Sequence, residues 1–402
     1  NKGEWISKLL EDYKKNLNEK KLNLDDDYIK FIRLAQYYVE RNGEGVLAYI
    51  CNNSFIDGLI HRQMRSELMR VFDKIYILDL HGNTRKKETA PDGSKDENVF
   101  DIMQGVSINI FVKKSGKSKA PAEVRHFDLY GLREFKYDYL RTHDLASVEW
   151  QILNPQTPSF FFVPKDFSLQ DEYDMGFGII DLMKINGSGI ETQNDKASIS
   201  FSSSECKKLK EDFQQLTIEQ ISVNYGFKDG RDWKISTAKE DIIKHPVVAN
   251  TLQYRPLDFR SMNYTGYSRS MMAYPRFEIM RHLTERNIAL LVKRGFPYQD
   301  RAQGFVSEYI SDRRAWSCSG MQGAESVFPL YLYPEEGSID TSRRPNLDEK
   351  IWAQINTAIG KEASPEDIFD YIYGVLHSPA YRAKYKEFLK VDFPRIPYPT
   401  NA

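Results

Sequence analysis

From Asp26 to Arg41 the residues Tyr28, Phe31, Ile32, Leu34, Ala35 and Tyr38 recur at roughly helical spacing, and Asp25 to Asp27 put negative charge at the positive amino end; this predicts a helix. Gly43-Glu44-Gly45 interrupts the pattern. The apolar run Val46-Leu47-Ala48-Tyr49-Ile50-Cys51 that follows is too short for a helix and predicts a buried parallel strand. A polar Asn52-Asn53-Ser54 then leads into a helix over Ile60 to Val71, and Ile75 to Leu80 predicts a second strand. Residues His81 to Asn98 are charged and glycine-containing, which predicts an exposed loop, and Val106 to Val112 alternates as a further strand. Together these elements make half of an α/β sheet.

Beyond Pro158 the texture changes. Gly187-Ser188-Gly189 reads as a tight turn, Ser198 to Ser204 is serine-rich, and Tyr, Phe and Arg are spread without a long period, which predicts a separate α+β domain. From Asn346 helical spacing returns: Ile351, Ile355 and Ile359 share a face, Ser364-Pro365-Glu366-Asp367 starts a helix, and Ile368 to Leu376 and Tyr381 to Leu389 predict two more. The expected division is 1–157, 158–345 and a helical extension over 346–402. There is no internal repeat and no low-complexity tract.

Composition narrows the function classes. A chain of 402 residues exceeds the size at which a single core keeps growing, so two or three domains are expected. Lys and Arg number 56 against 57 Asp and Glu, a net charge of -1, so any nucleic-acid surface must be local. Cys51, Cys206 and Cys318 are widely spaced and odd in number, which fits neither a disulfide framework nor a paired-cysteine zinc site. A reducing, cytosolic setting is expected, with no metal. No run of eighteen apolar residues exists, and Asn1 to Trp5 lack the regions of a signal peptide. Asn1 in place of an initiator Met implies a piece of a longer chain.

Candidate chemistry lies in a few places. Asn53, Ser54 and Phe55 follow a predicted strand, and the carboxy ends of strands in open α/β sheets are where ligands sit; equally, Asn53 or Ser54 could simply cap the next helix. Asp79 and His81 end the next strand similarly, but no serine or cysteine elbow accompanies them, and a loop His reads as solvated. Asn154-Pro155-Gln156-Thr157 lacks the second Pro and the aromatic that amino methyltransferases use to hold a flipped base, so it reads as a turn. The richest stretch is Tyr254 to Arg314, in which eleven Arg and Lys residues are interleaved with aromatics. Such a mixture suits nucleic acid, since Arg pairs with phosphate or guanine and aromatics stack on bases. The alternative is a solvated surface paired to Glu278, Glu285, Asp300 and Asp312.

These residues resemble the type ISP restriction-modification enzymes, single polypeptides that join nuclease, helicase, adenine methyltransferase and target-recognition domains. Asn1-Lys2-Gly3-Glu4-Trp5-Ile6 with Asp12-Tyr13-Lys14 looks like the stretch after the family's catalytic Asn-Pro-Pro-Tyr motif. Gly45 to Gly58, Leu78 to Asn83 and Asn98 to Ile108 resemble successive late methyltransferase segments. Gly187 to Thr192 with Asp195, Tyr254-Arg255-Pro256-Leu257-Asp258-Phe259-Arg260 and Pro275 to Met280 resemble landmarks of the recognition domain. Ile368 to Arg382, followed by Asp392 to Pro397, is similar to the family's ending, where His377 reads as a helix-end structural residue.

The resemblance implies a fold: the C-terminal half of a Rossmann-like methyltransferase sheet, then an α+β target-recognition domain and a helical segment. It implies a part of a bacterial, cytoplasmic DNA adenine-N6 methyltransferase, with S-adenosylmethionine as methyl donor in the full-length enzyme and double-stranded DNA as partner. The Gly-rich cofactor loop and the Asn-Pro-Pro-Tyr motif are not in this sequence. They are expected upstream, as are any nuclease and helicase domains, so the fragment itself is expected to hold no cofactor and to be catalytically inactive. Asn53, Ser54 and Phe55 would edge the adenine pocket. Candidate DNA contacts are Thr192, Asn194, Lys196, Arg255, Arg260, Arg269, Arg276, Arg294, Arg301 and Trp316, with Arg255 and Arg260 equally able to tie the domain together. A stand-alone, non-catalytic DNA-specificity module is the other expectation.

Overall fold

The computed structural model describes residues 5–15, 17, 24–116, 120–245, 248–296, 301–316, 323–335, 337 and 342–401. Asn1 to Glu4, Asp300 and Cys318 lie outside them. The chain divides into two compact units, Asn1–Asp166 and Phe167–Ala402.

In the first unit helix α1 (Asp27–Asn42) buries Ile29, Ile32, Arg33 and Gln36 and stops at Gly43, whose left-handed φ of 86° an L side chain would resist. Strands β1 (Gly45–Asn52), β2 (Lys74–Asp79), β3 (Val106–Lys113), β4 (Glu123–Asp128) and β5 (Gln151–Leu153) form one sheet in the order β1-β3-β2-β4-β5. β3 is antiparallel to both β1 and β2, while β2 and β4 run parallel. The expectation of a buried parallel strand over Val46–Cys51 is therefore corrected. β1 is an edge strand with alternating exposure, and Val46 is 63% exposed. Six apolar residues in a row look alike whether one face or both are covered. Helix α2 (Arg62–Val71) lays Met64, Leu68 and Met69 on the sheet, in a core completed by Tyr13, Phe55, Phe72, Ile75, Phe111 and Phe162.

The expected exposed loop after β2 is exposed at Thr84, Arg85 and Pro91 to Lys95 but anchored in the interior at both ends. His81, Gly82, Ala90, Asp96 and Asn98 are buried. Its anchor is an ion pair between Lys136, on helix α3 (Arg133–Thr142), and Asp96, 2.7 Å apart and both fully buried. Lys136 also donates to the carbonyls of Leu80 and Glu97, and Asp96 accepts from the N–H groups of Gly82 and Gly131. With all three Lys136 N–H groups and both Asp96 oxygens bonded, two charges can be buried that the sequence pattern would put in water.

In the second unit the strands of the two larger sheets are β6 (Gly187–Ser188), β7 (Ile199–Ser200), β8 (Val248–Arg255), β9 (Asp258–Tyr264), β10 (Ala289–Val292), β11 (Gly304–Ser307), β12 (Ile310–Ser311) and β13 (Ser326–Pro329). Among the described residues they build two four-stranded sheets, ordered β12-β8-β9-β7 and β11-β10-β13-β6. The expected tight turn at Gly187-Ser188-Gly189 is instead an edge strand against β13. Gly189 is needed there because a Cβ would lie 2.4 Å from the carbonyl oxygens of Ser311 and Asp312. The C-terminal helices, α4 (Glu349–Ile359) and α5 (Pro365–His377), share one core with Leu290, Val292 and Phe328 of the second sheet. Ser364 and Asp367 form a reciprocal capping box that starts α5, as the Ser-Pro-Glu-Asp run indicates.

Candidate nucleic-acid interface

Two clusters carry chemistry, one in each unit. The first lies at the carboxy ends of β1, β2 and β4. Asn53 occupies the N-cap position of a short helix, Ser54–Asp57, but its side chain does not cap it. Instead Asn53 Nδ2 donates to Asp79 Oδ1 at 2.9 Å, and the backbone N–H of Asn53 bonds Gly105 O. Ser54, exposed beside it, gives its N–H and hydroxyl to Asn52 Oδ1. Phe55 is fully buried and supports the turn from the core, so its ring does not reach a pocket edge.

His81 is buried, which corrects the reading of a solvated loop His. Its Nδ1 lies 3.0 Å from Glu88, its Nε2 2.8 Å from Asp128, and its ring stacks on Tyr130 at 3.7 Å. Burial opposes its protonation, but the bonds to Asp128 and Glu88 and the charge of Asp79 outweigh it and push the imidazole up to about 10. Burial raises Asp79, while the two histidines His126 and His81 hold Asp128 below the usual carboxylate range against its own desolvation. Asp79, His81 and Asp128 also have the donor types of a metal site. The imidazolium, however, already sits among the carboxylates as their counter-charge. Because the folded value exceeds 6.5, the stability His81 contributes is complete below about pH 6.5 and is lost as pH rises through about 10. Thermal melts across that range should show His81→Gln costing stability near neutrality and progressively less toward pH 10.

A cleft of about 240 Å³ opens here, lined by Asn53, Asp57, Asp79, His81, Tyr130 and Lys165 among others. Next to it the segment 98–105 is held by polar groups. Asn98 donates to Gly82 O and Gln104 O, Arg133 to Asn98 O and Phe100 O, and Tyr137 to Val99 O. Phe100, Ile102 and Met103 are nonetheless 43–51% exposed. Sequence reasoning passed over this apolar trio, whose only signal is three large apolar residues within a polar stretch.

The second cluster is built from four segments of the second unit. Residues 190–196, 254–260, 269–276 and 311–314 meet through a Glu191–Tyr274 bridge, an Ile190–Asp312 bridge and a bond from Asp312 N to Gln253 O. Side chains lock them. Arg255 pairs with Asp312 at 2.7 Å, Arg313 with Glu191 at 2.7 Å, and the Tyr254 hydroxyl donates to Asp195 at 2.9 Å. Seven of the ten sequence candidates fall in these segments. Thr192 is buried and gives its hydroxyl to Asp195, and Asn194 caps the short helix Asp195–Ser198, so both shape the turn. Lys196, Arg269 and Arg276 are exposed. Arg260 is held by Asp258 through two bonds, and both Arg255 and Arg260 lie 4.0 Å from the Tyr254 ring centre.

The other three lie elsewhere. Arg294 pairs with Asp392 at 2.7 Å, and Trp316 packs on Phe296, whose N–H bonds Leu389 O. Arg301 is exposed, ahead of β11. Sequence reasoning missed Gln193 and Leu257. Among the described residues of this unit, the non-glycine residues with left-handed backbone are Gln193, Leu257, Arg269 and Arg276, and all four sit in the converging segments. Such strain persists only where the surroundings over-determine it, and it concentrates at binding sites.

The fold and this cluster define a two-unit, mixed α/β protein with several small sheets and an arginine- and tyrosine-rich loop surface on its second unit. The chain belongs to the type ISP family: the family model described as the Type ISP C-terminal specificity domain matches residues 181–402. Three solved structures share the fold. A DrdV–DNA complex is 21% identical with a TM-score of 0.72, covering 98% of this chain and 40% of that one. The ATP-dependent Type ISP restriction-modification enzyme LlaBIII bound to DNA is 21% identical with a TM-score of 0.71, covering 97% and 26%. A nuclease-deletion mutant of the Type ISP enzyme LlaGI with a DNA substrate mimic is 22% identical with a TM-score of 0.66, covering 97% and 31%. This chain thus spans well under half of each. No curated protein sequence matches it. No helix among the described residues is long and apolar enough to cross a membrane.

Proposed function

We propose that the second unit reads duplex DNA sequence-specifically, as part of a bacterial, cytoplasmic restriction-modification enzyme that methylates adenine N6. The carrying observation is the convergence of Lys196, Arg255, Arg260, Arg269 and Arg276 with Tyr254 on four interlocked segments, inside the region matched by the specificity-domain model. The left-handed backbone of Arg269 and Arg276 and the ion pairs of Arg255 and Arg260 hold these four cations at set positions before DNA arrives, which lowers the ordering cost of binding. Exposed Lys196, Arg269 and Arg276 suit phosphate or base edges. Arg255 and Arg260, each paired through part of its guanidinium with Asp312 and Asp258 respectively, hold the surface in shape and keep donors on its outer side.

The first unit, on this reading, is the C-terminal half of a Rossmann-like methyltransferase sheet. β1 and β2 both run antiparallel to the β3 between them, and the outer edge of β1, with Val46 and Ile50 exposed, is where further strands would pair. Asn53, with Ser54 beside it, would border the pocket of an adenine taken out of the duplex, and the exposed Phe100 lies on the adjoining segment. S-adenosylmethionine would belong to the full-length enzyme. The cleft here offers carboxylates around His81 and no Gly-rich turn, so the residues present do not make a holder for it. The second unit owns its cores, which also favours a separable, non-catalytic specificity module.

The test is binding of the 402-residue chain to random-sequence duplex DNA over a salt series. Affinity should fall steeply as salt rises, and replacing Lys196, Arg269 and Arg276 together by Ala should weaken binding and flatten the salt slope by up to about three phosphate contacts. Salt-independent or absent binding would overturn the reading.

A further inference from the structure

The β8–β9 hairpin carries a feature that neither the methyl-transfer reading nor the arginine surface explains. Its turn is Pro256-Leu257, and Leu257 is 85% exposed, the highest value among the large hydrophobic residues that are exposed in the described part of the chain. Leu257 also adopts a φ of 59°. That conformation suits Gly, Asn or Asp; a leucine there has no side-chain bond to the backbone to offset the steric cost. An exposed leucine held in a strained turn serves neither packing nor folding.

The tip is stiff. Pro256 fixes its own φ, the register shifts between Asp258 and Phe259, and Gln253 Nε2 bonds Arg255 O at 2.6 Å just before the turn. A collar of cations and rings surrounds its base. The Arg255 and Arg260 guanidinium groups lie against Tyr254, and Arg260 also lies 4.4 Å from the ring centre of Phe201, which is 78% exposed. Arg255 spends only Nη1 on Tyr254 O and Asp312, and Arg260 spends Nε and Nη2 on Asp258. Among the described residues each guanidinium therefore keeps N–H groups for an outside acceptor, on Arg260 Nη1 and on Arg255 Nε and Nη2.

A rigid apolar point ringed by guanidinium donors has a defined complement: apolar ring faces flanked by anionic oxygens, the arrangement at a base step between two phosphates. A protein pocket would match the leucine but leave the remaining Arg donors without acceptors unless it were lined with carboxylates. We propose that Leu257 is a wedge that enters the DNA base stack and opens one step, while Arg255 and Arg260 engage the flanking phosphates. The inference rests on the DNA-reading function proposed above and adds a sequence-independent distortion to it. Unstacking loses base–base contact and is offset by the wedge's own contacts and by the phosphate bonds it brings within reach. The strain at Leu257 is then the cost of aiming an apolar side chain outward from a turn that glycine would make more easily.

The test uses the 402-residue chain and a duplex enriched from a random pool by that chain, with 2-aminopurine placed at each adenine in turn. Wild type should raise the fluorescence at one position severalfold. Leu257→Asn, whose side chain tolerates the left-handed turn, should melt no lower than wild type yet lose most of that rise, whereas Leu257→Met should keep it. Unchanged fluorescence with Leu257→Asn at full DNA occupancy would overturn the wedge while leaving DNA reading intact. Loss of self-association of the chain with unchanged fluorescence would overturn it too, identifying the tip as a protein knob. Failure of wild type to bind any duplex would remove the DNA reading itself, and the wedge with it.

Discussion

Arg65→Met should destabilise the first unit by at least about 4 kcal/mol, a large share of the 5–15 kcal/mol that holds a typical domain together. Arg65 is fully buried in α2, and among the described residues no carboxylate forms an ion pair with it. Its guanidinium donates to the carbonyls of Phe55, Gly58, Ser159 and Phe160 at 2.5–3.0 Å. Burial lowers its pKa to about 9 against the opposing charge of Asp57, so it remains charged at neutral pH, with its hydrogen bonds made to backbone carbonyls. Methionine fills most of the space but leaves four buried carbonyls unpaired, each costing roughly 1–3 kcal/mol if none finds water. The same bonds tie the Asn53–Gly58 turn to the 159–160 segment, so the cleft at the strand ends should loosen as well. Urea denaturation checks this, with Arg70→Ala as the control. Arg70 is 61% exposed, and its pairing with Glu67 and Glu40 is worth less than about 1 kcal/mol.

Lys136→Met should have an effect of similar size by a different route. It leaves Asp96 as an uncompensated buried carboxylate and strips the Leu80 and Glu97 carbonyls of their donor, a change that costs about 3–5 kcal/mol in buried pairs. The double change Lys136→Met with Asp96→Asn should recover part of the loss, because it removes both charges while an amide can still serve Gly82 or Gly131. If the single variant instead unfolds at wild-type urea concentrations, the pair does not hold the segment after β2.

These two sites also mark where sequence stopped being informative. Helix α1, strands β2 and β3 and the capped start of α5 were legible, because local periodicity and a Ser-Pro-Glu-Asp signature decide them. Arg65 and Lys136 were not, since a charged residue on an amphipathic helix reads as surface until its acceptors are known, and those come from residues up to 95 positions away. His81 failed for the same reason: its partner Asp128 is 47 residues downstream. In the second unit the Tyr254 to Arg314 stretch contains three of the four segments that converge on one surface. It could not say that Arg255 would be held in place by Asp312, that Thr192 would be buried, or that the exposed point of the hairpin would be a leucine. Composition finds a surface; only long-range pairing tells which of its residues remain available.

The edge of β1 bears on handling of the chain. Among the described residues no strand pairs with its outer side, and the exposed Val46 and Ile50 invite such pairing, so association of this chain with itself should rise with concentration.

The most direct measurement is selection of bound duplexes from a random pool by the purified chain at moderate salt, followed by sequencing and by affinity measurement on the enriched duplex and on a shuffled one. Enrichment of one short, adenine-containing site, bound at least about a thousandfold more tightly than its shuffled counterpart, is the expected result. Duplexes retained without any shared sequence, or none retained at low salt, would contradict sequence-specific reading by this chain.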